Sequence, residues 1–149
     1  MVIQNIIEQL HRNILLETQY SDTSTNPTQL DEYEALLKIK IPQWYLSFLE
    51  TFGYIQCIIG EGSSFFLFDI NESKGYYQDH YDEKYDDLDF RIPIGTDLGD
   101  RALFYSERDG EPGIYVSYGI PDAEYFIFLA PNLENFLFNG IGLEKFAKM

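Results

Sequence analysis

The sequence predicts an α+β domain, in which a mainly antiparallel twisted sheet of about five or six strands packs against N-terminal helices and a C-terminal helix. Three observations predict it. Apolar residues recur at helical spacing up to about residue 53, short β-rich runs punctuated by Gly and Pro follow, and a helical pattern returns after "APN". No helix-length segment separates the last strands, so antiparallel hairpins are the economical pairing. The 149 residues fit a single domain, 1–149. A chain of that size buries roughly 70% of its unfolded surface.

Val2, Ile3, Ile6, Ile7, Leu10 and Ile14 lie on one stripe, predicting an amphipathic helix over residues 2–16. "ETQYSDTSTNPTQ" then forms a polar loop. It starts a second helix, with Asn26 as cap, Pro27 in the first turn, and Leu30, Tyr33, Leu36 and Leu37 on the apolar face. Pro42 opens a third, "PQWYLSFLETFG", whose Trp44, Tyr45, Phe48, Leu49 and Phe52 form a core-facing stripe and whose Gly53 closes it. Six runs read as strands: "YIQCII", "SFFLFD", "FRIPIG", "RALFYSE", "GIYVSYG" and "EYFIFLA". "ERDGEPG" makes a hairpin connection. In the closing helix Leu133, Phe136 and Leu137 share a face, with Gly140 behind it.

Composition narrows function. Twelve Phe and twelve Tyr indicate a core of rings, many with one wet edge. Ten basic against 25 acidic side chains give a net charge of -15, which repels nucleic acid and anionic membranes and serves either solubility or the meeting of a basic protein partner. The only cysteine, Cys57, falls in an apolar run and reads as a small buried hydrophobe, without a disulfide framework. "MVIQNIIEQLHRN" lacks a basic n-region and carries Glu8, unlike a signal peptide, and no apolar run reaches membrane-spanning length. The expectation is a cytoplasmic protein.

Residues 71–89, "NESKGYYQDHYDEKYDDLD", are the one strongly biased segment, with carboxylates interleaved among four tyrosines. Such a surface helix or loop supplies rigid rings for contact and charge for steering. Tyr81, Asp82, Glu83, Tyr85, Asp86 and Asp87 are therefore candidate partner contacts. Glu107, Asp109 and Glu111 of the hairpin form a second acidic edge.

Catalytic and metal patterns are weak. "GEGSS" lacks the second glycine of a nucleophile elbow, and two histidines make no histidine-rich metal site. "DINESKG" sets Asp69, Asn71 and Ser73 at alternate positions like a calcium loop, but Lys74 takes the glycine's place and His80 the closing glutamate's. No metal or cofactor is expected. In "RIPIGTDLGDRALFY", Pro93 is read as ending a pairing edge, and Gly95 and Gly99 as supplying unusual backbone angles. Asp97 and Asp100 are read as tying the turn. The alternative, a small hydrolase using that aspartate pair, is carried as a rival.

"LDEYEALLKIKIPQWYLSFLETFG", "IPIGTDLGDRALFY" and "LAPNLENFLFNGI", in this order, resemble the SUKH superfamily over about residues 28–140. Leu30 and Glu34 fall on that family's first helix, Ile41 and Pro42 on its Leu-Pro start, and Tyr45, Phe48 and Leu49 on its "Y..FL" helix. Ile92, Pro93, Ile94 and Gly95 match the strand entering its Gly/Asp bend at Asp97, Gly99 and Asp100. Pro131, Phe136 and Leu137 match the closing helix. Two departures stand out: Leu98 where the family often has glycine, and Phe52-Gly53 where it often has Asn-Gly. The resemblance implies a non-enzymatic binder, an immunity protein for a basic toxin domain such as a nuclease, or alternatively a regulatory domain for an endogenous protein.

Overall fold

The computed structural model describes residues 14–18, 27–52, 55–59, 63–80, 88–118 and 126–147. Among the described residues seven strands form one sheet: β1 (Ile14–Thr18), β2 (Ile55–Ile59), β3 (Ser63–Leu67), β4 (Arg91–Thr96), β5 (Arg101–Ser106), β6 (Gly113–Tyr118) and β7 (Ile127–Ala130). They lie in chain order, each antiparallel to the next. Helices α1 (Pro27–Leu37) and α2 (Gln43–Phe52) precede β2, and α3 (Ile70–His80) connects β3 to β4. A π-helical turn (Glu134–Phe138) and the short α4 (Leu143–Ala147) close the described chain. The class is α+β, as its element pattern implies.

All six expected strands form. The N-terminal helix needs correction: residues 14–16, read as its end, belong to β1. Their Ile-Leu-Leu backbone pairs with β2 in the register Ile14↔Ile59 and Leu16↔Cys57, and this ladder overrides the helical periodicity that Ile14 shares with residues upstream. Residues 2–13 lie outside the described residues, as do the expected cap Asn26 and the expected helix end Gly53.

The sheet is covered on both faces. Strand alternation sets Phe104 and Tyr105 on opposite sides. Trp44 of α2 lies 5.7 Å from the Tyr105 ring, and Tyr76 of α3 lies 5.9 Å from Phe104. The Leu67↔Gly95 and Gly95↔Leu103 pairs put Phe65 on the Tyr105 side, where it meets Phe136 at 5.6 Å and Phe146 at 5.2 Å. Burial on two faces explains why "RIPIG" and "ALFYS" are continuously buried rather than alternating. Cys57 is fully buried in β2, and burial pushes its thiol pKa up.

Strand β4 is where the two halves of the sheet meet. It pairs with β3 only at Phe66↔Thr96 and Leu67↔Gly95, and its register with β5 slips between Pro93 and Gly95, leaving Ile94 as the extra residue of a bulge. Gly95 is required here by close approach: an added Cβ would collide with the Phe66 carbonyl oxygen and sit 3.3 Å from Leu103. The expected unusual backbone angles belong elsewhere. The positive φ in the bend, 63°, is at Leu98, because the turn's left-handed residue falls one place before Gly99.

The Gly95→Ala variant is expected to lose about 2 kcal/mol or more of unfolding free energy in urea, with an unchanged denaturant slope. A loss below about 0.5 kcal/mol would show that β3 and β4 are not held this tightly.

Candidate partner-binding site

Helix α3 is fixed along its inner side. The Asp69 carboxylate accepts from the Glu72 amide at 2.7 Å, an N-cap that uses the first residue of the calcium-loop-like motif as a helix start. The Ser73 hydroxyl donates to the Pro93 carbonyl and lies 2.7 Å from the Tyr33 hydroxyl, while Tyr77 donates to the Leu36 carbonyl at 2.9 Å. With Ser73 and Tyr77 buried, the stripe Glu72, Gly75, Tyr76 and Asp79, spaced i, i+3, i+4 and i+7, faces the bend between β4 and β5.

Two adjoining cavities separate that stripe from the bend. One, about 340 Å³, lies between the stripe and Thr96, Leu98 and Gly99. The second, about 240 Å³, shares Tyr76, Thr96 and Gly99 and extends to His80, Asp100 and Ala102. Tyr76 is the shared wall. Its ring stacks on His80 at 3.9 Å and 16°, and burial pushes its hydroxyl pKa up to about 12. The His80 Nδ1 lies 2.9 Å from the Tyr76 carbonyl oxygen, holding the pair as one platform.

The bend is held by its own side chains. The Asp97 carboxylate accepts from the Gly99 amide at 2.8 Å, the Arg101 amide at 3.1 Å and Arg101 Nε at 2.8 Å. Arg101 also donates to the Phe146 carbonyl at 2.6 Å and lies 4.4 Å over that ring. Partial burial acts to raise the Asp97 pKa, but the bonds from Arg101 and Gly99 outweigh it, so the carboxyl titrates below its ordinary value. Thr96 adds a hydroxyl that accepts from the Leu98 amide and donates to the Arg101 carbonyl, both at 3.1 Å. Asp100 is exposed and takes no part in this network. Asp97 is thus held as an anion by Arg101, an arrangement for shaping a loop rather than exchanging protons.

The acidic edge of the β5–β6 hairpin divides. Glu107 and Glu111 are exposed. Asp109, expected beside them on the surface, turns inward: Arg91 Nε donates to it at 2.9 Å, and Arg91 Nη2 and the Ser106 hydroxyl also donate. Arg91 is fully buried, with its guanidinium 3.6 Å over the Phe126 ring. Burial raises the Asp109 pKa, yet the bonds from Arg91 and Ser106 and the fields of Arg91 and Arg108 bring it below the ordinary value. Tyr81, Asp82, Glu83, Tyr85, Asp86 and Asp87 lie outside the described residues. Asp89, at the end of the same acidic segment, is buried and paired with Lys38 at 2.9 Å. Among the described residues no cluster of three or more His, Cys, Asp or Glu is placed to hold a metal, and no helix is long and apolar enough to cross a membrane.

Residues 25–139 match the SMI1 / KNR4 family (SUKH-1), a span that runs from just before α1 through the π-helical turn. The chain belongs to this family. A search of curated proteins finds no match. The SUKH family is generally one of non-enzymatic immunity or regulatory proteins. Its matched span includes α3, the bend and both cavities. The φ of 63° at Leu98 is a conformation for which glycine is the default residue.

Replacing Asp109 with Asn leaves Arg91 a buried, half-paired cation and is expected to cost about 3 kcal/mol at pH 7. Because the folded pKa of Asp109 is lowered, its contribution is complete above the unfolded value of about 3.9 and is lost as pH falls through the folded value. The stability gap between parent and Asp109→Asn in urea should therefore be widest above about pH 5 and close toward pH 2. A gap independent of pH would contradict the pairing.

Proposed function

We propose that this chain is a non-enzymatic immunity protein that neutralises a basic toxin domain by stoichiometric binding in the cytoplasm. The observation that carries this reading is how the charges divide. Arg91 and Arg101 are taken up by Asp109 and Asp97, and Lys38 is held against Asp89. Glu72, Asp79, Asp100, Glu107 and Glu111 are left on the exposed surface. In a chain of net charge -15, this division supports an outward negative field of the kind that steers a basic partner, for instance a nuclease that must attract phosphate. Family membership supports the same class of activity. The proposed contacts are Glu107 and Glu111, together with Tyr81, Asp82, Glu83, Tyr85, Asp86 and Asp87.

The test is co-expression with the C-terminal domain of a secreted toxin encoded next to this gene. The expected outcome is growth rescue and 1:1 co-purification, with an association rate falling at least about tenfold between low and physiological salt. The double variant Glu107→Lys/Glu111→Lys should slow association further. Absence of rescue, together with tight binding to an endogenous protein, would replace immunity with a regulatory role.

A further inference from the structure

Two residues that face each other across the α3 groove are each the less stable choice for their position. Gly75 sits inside an α-helix, where glycine is among the least favourable residues. Nothing in the fold asks for it: its φ is not positive, and a Cβ added there would meet no atom within 4 Å. Opposite stands Leu98, 69% exposed, in a left-handed conformation of φ 63° that a bulky side chain adopts only under strain. Alanine at 75 and glycine at 98 would both suit the backbone better. Both actual residues shape the groove: Gly75 leaves its helical wall open, and Leu98 raises an apolar lip on the other side.

What lies between them has a definite chemistry. Glu72 and Asp79 are exposed carboxylates at the two ends of the helical stripe, and Asp100 stands at the bend. The flat Tyr76–His80 stack lies in the middle. Arg101, the cation bordering the second cavity, is turned to Asp97 and the Phe146 carbonyl. Carboxylates around an aromatic plane match a guanidinium, which pairs with the first and stacks on the second. A second copy of this acidic chain is disfavoured by like charge.

We infer that the groove between α3 and the β4–β5 bend is the docking slot for an arginine side chain of the partner protein, with a neighbouring apolar residue of the partner resting on Leu98. This rests on the proposed role as a protein binder and supplies the partner chemistry that role lacks. Gly75 keeps the slot open, Glu72 and Asp79 hold the charge, and the Tyr76–His80 stack supplies the aromatic surface.

The probe is N-acetyl-leucyl-arginine amide, followed by amide NMR shifts of the full chain, with the lysine and norleucine analogues as comparisons. The expected result is saturable, millimolar binding with shifts centred on Gly75, Tyr76, Gly99 and Asp100. Lysine should bind at least threefold more weakly, and norleucine should not bind. Gly75→Leu should weaken the probe at least tenfold, and Glu72→Gln/Asp79→Asn or Leu98→Gly threefold or more. Leu98→Gly and Gly75→Ala should nonetheless raise the melting temperature by about 2–4 °C, which separates a binding role from a structural one. Shifts located elsewhere, equal binding of norleucine, or indifference to Gly75→Leu would overturn the inference. The two readings fail separately: an arginine-binding groove without toxin rescue removes only the immunity role, and full rescue by Gly75→Leu removes only the groove.

Discussion

Much of this structure depends on a place where a side chain is missing. At Gly95 the Phe66 carbonyl occupies the space a Cβ would need, so β3 and β4 run closer than any other residue at that position would permit. β3 then parts from β4 after two paired residues, and the bulge at Ile94 turns successive carbonyls of β4 toward the departing chain. The Phe68 amide takes the Ile94 carbonyl at 2.9 Å, and the Ser73 hydroxyl takes that of Pro93. These bonds seat the start of α3 on the sheet, and with the Asp69 cap and the Tyr77–Leu36 bond they decide which stripe of the helix looks at the bend. The groove is a consequence of how β4 is crossed.

Electrostatics follow the same economy of position. A domain with 25 carboxylates must either repel itself or direct its few cations to where they neutralise most. Arg91 is fully enclosed by the Asp109 fork and the Phe126 face, and it ties β4 to the β5–β6 hairpin. Arg101 does the same between the bend and α4, through Asp97 and the Phe146 carbonyl. Truncating either pair strands a charge in a poorly solvated place, which is why such networks specify a conformation even where they add little net stability.

Helices α1 and α2 and the strands from β2 to β7 were legible from the sequence, since each carries an apolar stripe or a short β-rich run with Gly or Pro nearby. β1 was not, because Ile14 continues the helical stripe of the residues upstream and only the β2 partner decides for a strand. Asp109 was misplaced on the surface for a similar reason: its partner Arg91 sits eighteen residues earlier, in a run that reads as plain apolar strand. The two glycines of the bend drew attention for backbone freedom, yet Gly95 answers a packing demand and the left-handed residue is Leu98. The groove stripe was within reach of sequence. Glu72, Gly75, Tyr76 and Asp79 stand at one helical spacing, with Ser73 and Tyr77 as the buried counter-stripe, but acidity concealed the period by making the segment look uniformly solvated.

A domain that keeps a glycine in a helix and a leucine in a glycine's conformation holds an open groove against its own stability. The most direct measurement is amide hydrogen exchange of the chain alone and in complex with the proposed toxin partner. New protection should concentrate in residues 70–80 and 96–102, while the amides of β2 and β7 exchange as before. Protection confined to the opposite side of the sheet, around α2 and the π-helical turn, with the groove unchanged, would contradict it.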